Sequence, residues 1–312
     1  MVFAIIAAAV ALFVLAASYE AYRIAFKGVK KKEEKLDLPD NPGSAPYRER
    51  SRELVDGMLK RKFEKVAITS RDGLKLTGRY YHVKDGAPLH IQFHGYRSCS
   101  DRDFSGGAAM APKLGYNALA VDQRAHRESE GRTITFGVKE RFDAVDWAYW
   151  AAERFDCPII LSGISMGAAT VLMASNQKLP ENVVGIIADC PYSSPKAIIE
   201  KVARQRGLPG GISWALGKLG ALIYGGVWMK SGVDAISSVR STKLDILLIH
   251  GEADSFVPVE MSREIKAAAP DRIDLQIFPG ADHGISYLTD EKRYEDLIAD
   301  FTKRAVEKFR KK

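Results

Sequence analysis

The sequence predicts an α/β fold: a mostly parallel central sheet with an antiparallel hairpin at its front and helices on both faces. Two strand patterns, Phe63–Thr69 and Leu74–His82, are joined by Asp72-Gly73, a dipeptide typical of hairpin turns. From residue 89 onward, short apolar runs alternate with stretches of helical periodicity, which is the pattern of parallel strands with crossover helices. Several of these runs end in a serine, a carboxylate or a histidine, so the predicted strand ends carry reactive side chains.

The N-terminal segment is apolar from Val2 to Ala17 and carries no charge before Glu20. A helix continuing to residue 26 approaches the ~30 Å thickness of the hydrocarbon core of a bilayer. A cleaved signal peptide would carry lysine or arginine ahead of its apolar core, and an ordinary buried helix would show a polar face; the segment has neither. We therefore interpret residues 1–26 as a single transmembrane anchor.

The residues that follow this span are basic. Positions 23–35 hold six lysines or arginines and two glutamates, which gives 6 − 2 = +4. Because the cytoplasmic flanks of membrane spans are enriched in lysine and arginine, the main domain is expected on the cytoplasmic side, with an extracytoplasmic location as the alternative. The same basic segment can serve as a solvated linker or contact anionic lipid.

The charge of the whole chain argues against a nucleic-acid partner. Residues 303–312 hold six basic residues and one glutamate, 6 − 1 = +5, so the two ends sum to +9 against +7 for the whole chain. The body between them is therefore slightly acidic, whereas a nucleic-acid-binding body would be basic. The three cysteines, Cys99, Cys157 and Cys190, cannot all pair with one another and match no metal-binding spacing.

Residues 27–60 are predicted to connect the anchor to the main domain of residues 61–312. They comprise the basic segment, a proline-rich linker over Asp37–Pro46 and an amphipathic helix over Tyr47–Lys60. The main domain then begins with the hairpin, and the crossover pattern follows it, including a helix over Lys139–Arg154.

The stretch from Pro158 to Thr170 predicts a strand, a sharp turn and a helix around Ser165. Gly163 and Gly167 flank the serine in a G-x-S-x-G pattern. Glycines on both sides let the backbone reverse and hold the serine oxygen exposed in a strained geometry, as a nucleophile elbow requires. The alternative interpretation is a glycine-flanked helix cap in which the serine is only the capping residue.

Two carboxylates and one histidine also follow predicted strands. The apolar run Val183–Ala188 ends at Asp189, and the run Ile246–Ile249 leads into Asp254. A last strand, Leu275–Phe278, is followed by a loop that carries His283 ahead of a terminal helix beginning near Thr289.

These segments resemble the α/β-hydrolase superfamily of serine hydrolases. The third strand ends in His94-Gly95, the acid loop has the pattern G-x-x-D-x-x-V-P from Gly251 to Pro258, and the histidine loop has the pattern A-x-H-G around His283. The similarity extends from roughly Phe63 to the C-terminus. It implies the α/β-hydrolase fold with a helical cap insertion.

The resemblance also implies roles for individual residues. Ser165, Asp254 and His283 occur in the family's order of nucleophile, acid and base, and Asp189 is the alternative acid. The backbone N–H groups of Tyr96 and Met166 are the implied oxyanion donors.

One loop departs from the family pattern R-x-H-G-x-S-x-G. After the strand Tyr116–Val121, this chain has Arg127 where the first glycine of the pattern would stand, so a positive φ there would be strained or the loop would be built differently. Asp122, Arg124 and His126 are expected to brace this loop, and His126 as a catalytic base is the alternative.

A cap is expected at about residues 192–243, where the alternation of strands and helices is interrupted. Two helical stretches, Pro195–Arg206 and Ile212–Lys230, are separated by a Pro-Gly-Gly sequence. Three apolar side chains of the second stretch are candidates for an acyl or aromatic pocket: Trp214, Trp228 and Met229. Alternatively they only pack the cap onto the sheet, or the cap contacts the bilayer.

The predicted activity is hydrolysis of carboxylic esters, of lipophilic acyl or aromatic type, by a membrane-anchored serine hydrolase. A Ser-His-Asp site needs neither a metal nor an organic cofactor. A thioesterase or serine peptidase would use the same residues, and a catalytically silent scaffold that binds a ligand or partner protein is the alternative from another class. The oligomeric state is left open.

Overall fold

The structure is a computed structural model that describes residues 1–30 and 36–311. Part of the predicted basic segment, at positions 31–35, lies outside the described residues. The strands are β1 (Val29–Lys30), β2 (Glu64–Thr69), β3 (Lys75–Tyr81), β4 (Leu89–Phe93), β5 (Asn117–Val121), β6 (His126–Arg127), β7 (Ile159–Ile164), β8 (Val183–Asp189), β9 (Asp245–Gly251) and β10 (Ile273–Phe278). The helices are α1 (Val2–Ala25), α2 (Arg48–Leu59), α3 (Ser100–Asp103), α4 (Ser105–Leu114), α5 (Glu140–Arg154), α6 (Met166–Ala174), α7 (Pro195–Gln205), α8 (Gly210–Ile223), α9 (Ala235–Val239), α10 (Val259–Ala268), α11 (Ser286–Thr289) and α12 (Glu291–Arg310).

Eight strands form one sheet in the order β10-β9-β8-β7-β4-β5-β3-β2. Strand β3 is antiparallel to both of its neighbours, and the other described pairs of this sheet are parallel. The predicted fold class is therefore confirmed, with the hairpin β2–β3 at one edge. The carboxyl ends of the parallel strands meet at one edge of the sheet, which is where ligands bind in such folds.

Helices cover both faces of the sheet, as expected. One face buries apolar side chains of α5, α6 and α10, including Trp147, Leu172 and Ile265. The other face is covered by α2, α4 and α12, with Met110 and Ile298 in its core. The central strands are buried on both faces, which explains why β5 and β7 are mainly apolar along their whole length. Strand β4 alternates instead, and its polar residues His90 and Gln92 are buried.

The cap consists of α7 and α8, and its second helix is shorter than expected. The sequence predicts helix to Lys230, but α8 ends at Ile223. Gly226 has φ +64°, a left-handed conformation that ends helices, so the remaining residues up to Lys230 form an irregular segment.

The C-terminal end of α1 is packed into the domain. Tyr22 and Phe26 are buried in a third apolar cluster together with Phe136, Ala221 and Met229. Directly after α1, the short strand β1 pairs with β6. The boundary at residue 26, expected from composition alone, therefore passes through a packed cluster, because the last turns of the apolar helix contribute to the core of the domain.

Candidate active site

Ser165 lies between β7 and α6 in a strained conformation. Its φ of 54° and ψ of −113° are unusual for a residue with a side chain. A Cβ at Gly163 would lie 2.3 Å from the carbonyl carbon of Gly167, and a Cβ at Gly167 would lie 1.7 Å from the carbonyl oxygen of Phe93. Both glycines are therefore required by close backbone approach, and the predicted strand, turn and helix are all present.

Three predicted site residues come together at the carboxyl ends of β7, β9 and β10. His283 Nε2 is 2.9 Å from Ser165 Oγ, and His283 Nδ1 is 2.7 Å from Asp254 Oδ2. Because the Nδ1 proton faces a carboxylate, Nε2 is left to accept a proton from the serine hydroxyl. The arrangement has the geometry that general-base activation of a serine needs.

Asp254 is held as a carboxylate by a dense set of donors. Its Oδ1 accepts hydrogen bonds from the N–H groups of Phe256 and Val257, at 2.9 and 2.7 Å. Burial by itself would raise the pKa of Asp254, but the hydrogen bonds to His250 and His283 outweigh burial and hold this pKa well below its usual range. The group is therefore charged whenever His283 must become a cation.

No sequence pattern predicted a role for His250. It is the penultimate residue of β9, is fully buried, and places Nε2 3.2 Å from Asp254 Oδ2 while Nδ1 lies 2.6 Å from Ser262 Oγ. A histidine four residues before the expected acid was the available signal, but the same spacing is compatible with plain packing of a strand end.

Asp282 occupies the variable position of the A-x-H-G pattern, for which no role was predicted. Its Oδ1 accepts hydrogen bonds from the N–H of His283 at 2.8 Å and from the N–H and Oγ of Ser255 at 2.8 and 2.9 Å. It therefore ties the loop that carries His283 to the loop that carries Asp254.

The expected oxyanion donors belong to backbone segments that both lie next to the serine. The N–H of Met166 begins α6, and the loop of Tyr96 passes so close that a Cβ at Gly95 would be 3.5 Å from the Ser165 Cβ. Neither the Tyr96 nor the Met166 N–H has a hydrogen-bond acceptor within residues 1–30 and 36–311. Two unpaired donors beside a serine can stabilise a developing oxyanion.

Buried side chains hold the Tyr96 loop in shape. Asp103 accepts from the Gly95 N–H at 2.7 Å and from Ser98 Oγ at 2.6 Å. His126 Nε2 accepts from the Arg97 N–H at 3.2 Å. With both ring nitrogens engaged on the backbone, His126 braces this loop rather than facing Ser165.

A cavity of about 670 Å³ opens beside Ser165 and His283. Its lining includes Tyr96 and Phe256, together with six residues between positions 38 and 54, from the predicted linker and the leading helix α2. Residues of the sheet such as Ile187, with Met110 of α4 and Ile298 of α12, also line the cavity, and we call this part of the lining the inner arm. Residues 38–54, which the sequence predicted only to connect the anchor to the main domain, thus contribute to the lining of the site.

The structure does not bring the cap candidates to this cavity. None of Trp214, Trp228 and Met229 is among the described residues that line it. Trp228 is 65% exposed, while Met229 is buried in the third apolar cluster, with Trp214 packed at the margin of that cluster. The physical reason is that α8, which carries Trp214, packs on α1, and that Trp228 and Met229 lie in the irregular segment after this helix.

Comparison with known proteins shows the family to which this chain belongs. The model of the Alpha/beta hydrolase family matches residues 93–299, most of the chain. The chain belongs to the α/β-hydrolase family. An esterase of Pyrococcus furiosus has the same fold, with a TM-score of 0.63 and 24% identity over 80% of this chain and 94% of that one.

Two sequence relatives illustrate how far the similarity reaches. The uncharacterized protein YqkD of Bacillus subtilis is 24% identical over 60% of this chain, and the match spans 62% of that protein's length. The bifunctional esterase/perhydrolase DCH of Acinetobacter calcoaceticus is 20% identical over 74% of this chain and 98% of its own length.

One group in this α/β hydrolase could hold a metal ion. Ligand atoms of Cys190, Asp254 and His283 lie within 4.8 Å of one another. Two of these residues are already hydrogen-bonded to each other, and burial raises the pKa of the Cys190 thiol well above its ordinary value, so the thiolate that binds metals is disfavoured. The site fits proton transfer better than metal binding.

Arg127 replaces a glycine of the family pattern without rebuilding the loop. It keeps a positive φ of 49°, and its Nη1 lies 2.7 Å from Asp101 Oδ2, while Arg79 binds the other oxygen of the same carboxylate. Burial alone would raise the pKa of Asp101, but the two guanidinium groups outweigh it and lower this pKa. The ion pair thus offsets the backbone strain.

We expect Arg127→Gly to lower the free energy of unfolding by about 1–2 kcal/mol. The lost charged hydrogen bond contributes about 1.5–3 kcal/mol, and glycine returns up to about 1 kcal/mol by accepting the positive φ. Arg127→Ala, which keeps the strain without the ion pair, should lose about 1 kcal/mol more. Urea unfolding of the three proteins measures both differences, and a glycine variant as stable as the natural chain would contradict the role of the ion pair.

Asp189, the alternative acid, lies elsewhere in the α/β-hydrolase site. It is buried in the inner arm of the cavity, where Tyr294 OH is 3.1 Å from Oδ2 and Ser286 Oγ is 3.5 Å from Oδ1. Burial raises the pKa of Asp189 to about 6, against the lowering effect of His250 and Tyr294. Its side chain has no hydrogen bond to His283 within the described residues.

This raised pKa predicts a pH-dependent stability difference. Below about pH 4 the Asp189 carboxyl is protonated in both the folded and the unfolded protein. Between about pH 4 and 6 only the folded protein keeps this proton. The contribution of Asp189 to the free energy of unfolding therefore falls as pH rises through this range, by about 2–3 kcal/mol in all. In Asp189→Asn this loss is absent. The variant should gain stability relative to the natural chain from pH 4 to 8 in denaturant titrations, and a constant difference would refute the prediction.

Proposed function

We propose that this protein is a serine hydrolase that cleaves carboxylic esters through Ser165, His283 and Asp254. The observation that carries the proposal is the unbroken hydrogen-bond chain from Ser165 Oγ through His283 to Asp254 beside two unpaired backbone N–H groups. A silent scaffold would have no reason to keep the serine in a strained conformation.

The reaction follows from these groups. Ser165 Oγ attacks the ester carbonyl carbon while His283 Nε2 takes the hydroxyl proton, and Asp254 stabilises the imidazolium that forms. The N–H groups of Tyr96 and Met166 hold the oxyanion of the tetrahedral intermediate, at roughly 3–4 kcal/mol per donor. His283 returns the proton to the leaving alcohol, and water then attacks the acyl-enzyme in the same way.

The cavity favours an ester whose acyl or alcohol part is mainly apolar. Its lining includes the aromatic side chains of Tyr96, Phe104 and Phe256 and the side chain of Leu38 from the linker segment. The esterase of Pyrococcus furiosus and the esterase/perhydrolase of Acinetobacter calcoaceticus, named for ester cleavage, support this class.

A direct assay tests the proposal. The purified full chain is given p-nitrophenyl esters of increasing acyl length, matched thioesters and a peptide p-nitroanilide. We expect ester turnover to exceed thioester and anilide turnover and to fall once the acyl chain outgrows the cavity. If a folded protein hydrolyses the anilide or thioester but none of the esters, the ester assignment is withdrawn in favour of a peptidase or thioesterase.

We also propose that α1 anchors the protein in a membrane with the catalytic domain on the cytoplasmic side. Helix α1 has the length and apolar composition of a membrane span, and basic residues follow it in the sequence. A reporter fused after the C-terminus should be active in the cytoplasm, and activity only outside it would reverse the orientation. Loss of the segment by cleavage would identify a signal peptide instead.

A further inference from the structure

Helices α1 and α8 are packed against each other in antiparallel orientation at unusually close distance. A Cβ at Gly220 would lie 2.1 Å from the Ser18 carbonyl oxygen, and a Cβ at Gly217 would lie 3.1 Å from the Phe26 ring. Toward the N-terminus of α1, the Tyr224 OH, directly after α8, donates to the Leu15 carbonyl oxygen at 3.0 Å. Glycines on one helix let the two backbones approach closely, as in pairs of membrane helices.

The contact with α8 begins so close to the N-terminus of α1 that the residues before it are too few to span a bilayer on their own. Residues 2–14, which precede it, are only about 20 Å long at about 1.5 Å per residue, whereas a hydrocarbon core is about 30 Å thick. The uncharged part of α1 continues to Tyr19 and is about 27 Å long, so the hydrocarbon boundary falls near Glu20. The contact between Leu15 and Tyr224 is then about 7 Å inside that boundary.

The end of α8 that reaches this depth is apolar and exposed. Leu222 and Ile223 of this helix end and Trp228 of the segment after it are 40%, 47% and 65% exposed, and we call these three residues the cap tip. Lys218, in the preceding turns of α8, has its Nζ 5.8 Å from the Trp228 ring centroid. An aromatic ring beside a lysine is the composition found where helices pass from lipid to water.

The charge of the surrounding cap segment fits a lipid surface. Residues 201–233 contain five lysines or arginines and no aspartate or glutamate. Basic residues near a membrane are attracted to anionic headgroups, while the apolar tip is stabilised by the acyl region. Exposure in water would leave the side chains of Leu222, Ile223 and Trp228 as an exposed apolar patch.

We propose that the cap tip is immersed in the lipid bilayer beside α1, so that the cap and the anchor form one membrane-docking unit. The inference rests on the membrane anchoring proposed above. It follows from the reach of α1: the helix cannot cross the hydrocarbon core without taking the end of α8 with it.

Immersion of the cap tip would also set the distance between the proposed active site and the membrane. Tyr96 OH donates to the Ala25 carbonyl oxygen at 2.9 Å, and Arg97 Nη2 donates to the Lys27 carbonyl oxygen at 3.1 Å. Ala25 is six residues beyond Tyr19, about 9 Å along the helix axis. The loop that carries a proposed oxyanion donor therefore lies about 9 Å from the hydrocarbon boundary, within reach of an ester that remains partly in the bilayer.

Fluorescent labelling of the full chain tests the proposal. The three natural cysteines are buried, so single variants Ile223→Cys, Leu208→Cys and Val10→Cys can carry an environment-sensitive NBD label. Leu208 is the matched control, 53% exposed on the same cap but ahead of the first turn of α8. The labelled chains are reconstituted in phosphatidylcholine–phosphatidylglycerol vesicles with and without doxyl-labelled acyl chains.

We expect the label at position 223 to emit at shorter wavelength and to lose most of its emission with doxyl lipid, as at position 10, while position 208 stays water-like. A water-like label at 223 with a quenched label at 10 overturns immersion of the cap tip and leaves the anchor standing. If position 10 is water-like as well, both the anchor and the immersion are rejected. Hydrolysis of a water-soluble ester, measured on the same samples, reports on the proposed activity separately.

Discussion

Replacing Ser165 by alanine is expected to abolish ester hydrolysis and labelling by a fluorophosphonate probe. Without Oγ no acyl-enzyme can form, and kcat should fall by roughly a million-fold, the size of effect seen when a serine nucleophile is removed. His283→Ala should cost about as much, because serine and histidine act as a unit. The measurement is probe labelling followed by p-nitrophenyl ester turnover.

Ser175→Ala is the matched control for this prediction. Ser175 lies at the other end of α6, is also buried, and its Oγ has no hydrogen-bond partner within residues 1–30 and 36–311. Its replacement should leave labelling unchanged. Labelling that persists in Ser165→Ala would assign the activity to another residue.

Variants of Asp254 and Asp189 distinguish the proposed catalytic acid from the alternative one. Asp254→Asn removes the partner of His283 Nδ1 and should lower kcat by roughly ten-thousand-fold through the wrong imidazole tautomer. Asp189→Asn leaves that hydrogen bond in place and should lower kcat far less. Equal losses would mean that Asp189 takes part in the proton transfer.

Replacing Phe26 by alanine is expected to destabilise the whole domain, although Phe26 belongs to the predicted anchor. Its ring is fully buried, lies edge-on to Phe136 with centroids 5.4 Å apart, and packs beside Gly217 of the cap. Deleting a buried phenylalanine ring costs about 3–5 kcal/mol, a large share of the stability of a typical domain. Thermal or denaturant unfolding in detergent measures the loss.

Phe13→Ala is the control on the same helix. Phe13 is 73% exposed, so its replacement should leave unfolding in detergent unchanged and affect only membrane partition. A chain that starts after residue 13 should therefore keep the fold and the activity. A chain that starts at residue 27 should lose both, because it lacks Tyr22 and Phe26; if it folds and hydrolyses esters normally, the packing of α1 is not needed by the domain.

Local patterns in the sequence were sufficient to predict the strands and to single out the residues that we propose to react. Strands such as β7 and β9 are continuous apolar runs bounded by turn residues, and a nucleophile elbow must have glycines at fixed positions because of backbone contact. Ser165 and His283 were thus found on motifs whose physical cause is local. The order of the motifs then sufficed to predict the fold class.

Other features depend on contacts between residues distant in sequence. His250 and Asp282 support Asp254 and His283 through hydrogen bonds that no spacing rule predicts, because a buried polar side chain near a site is also compatible with plain packing. The lining of the cavity depends on residues 38–54, which contact it from the linker and α2, while the cap candidate Trp214 lies in α8, which packs on α1.

The sequence by itself determined the α/β class, the elbow around Ser165 and the apolar character of α1, because each is set by residues close together in the chain. Only the tertiary structure decided that α1 ends inside the domain, with Phe26 in a core and Ala25 bound to Tyr96. Composition shows that a helix is apolar, but lipid and protein interior are both apolar surroundings. How much of α1 is left for the proposed membrane span therefore depends on which other elements of the fold contact the helix.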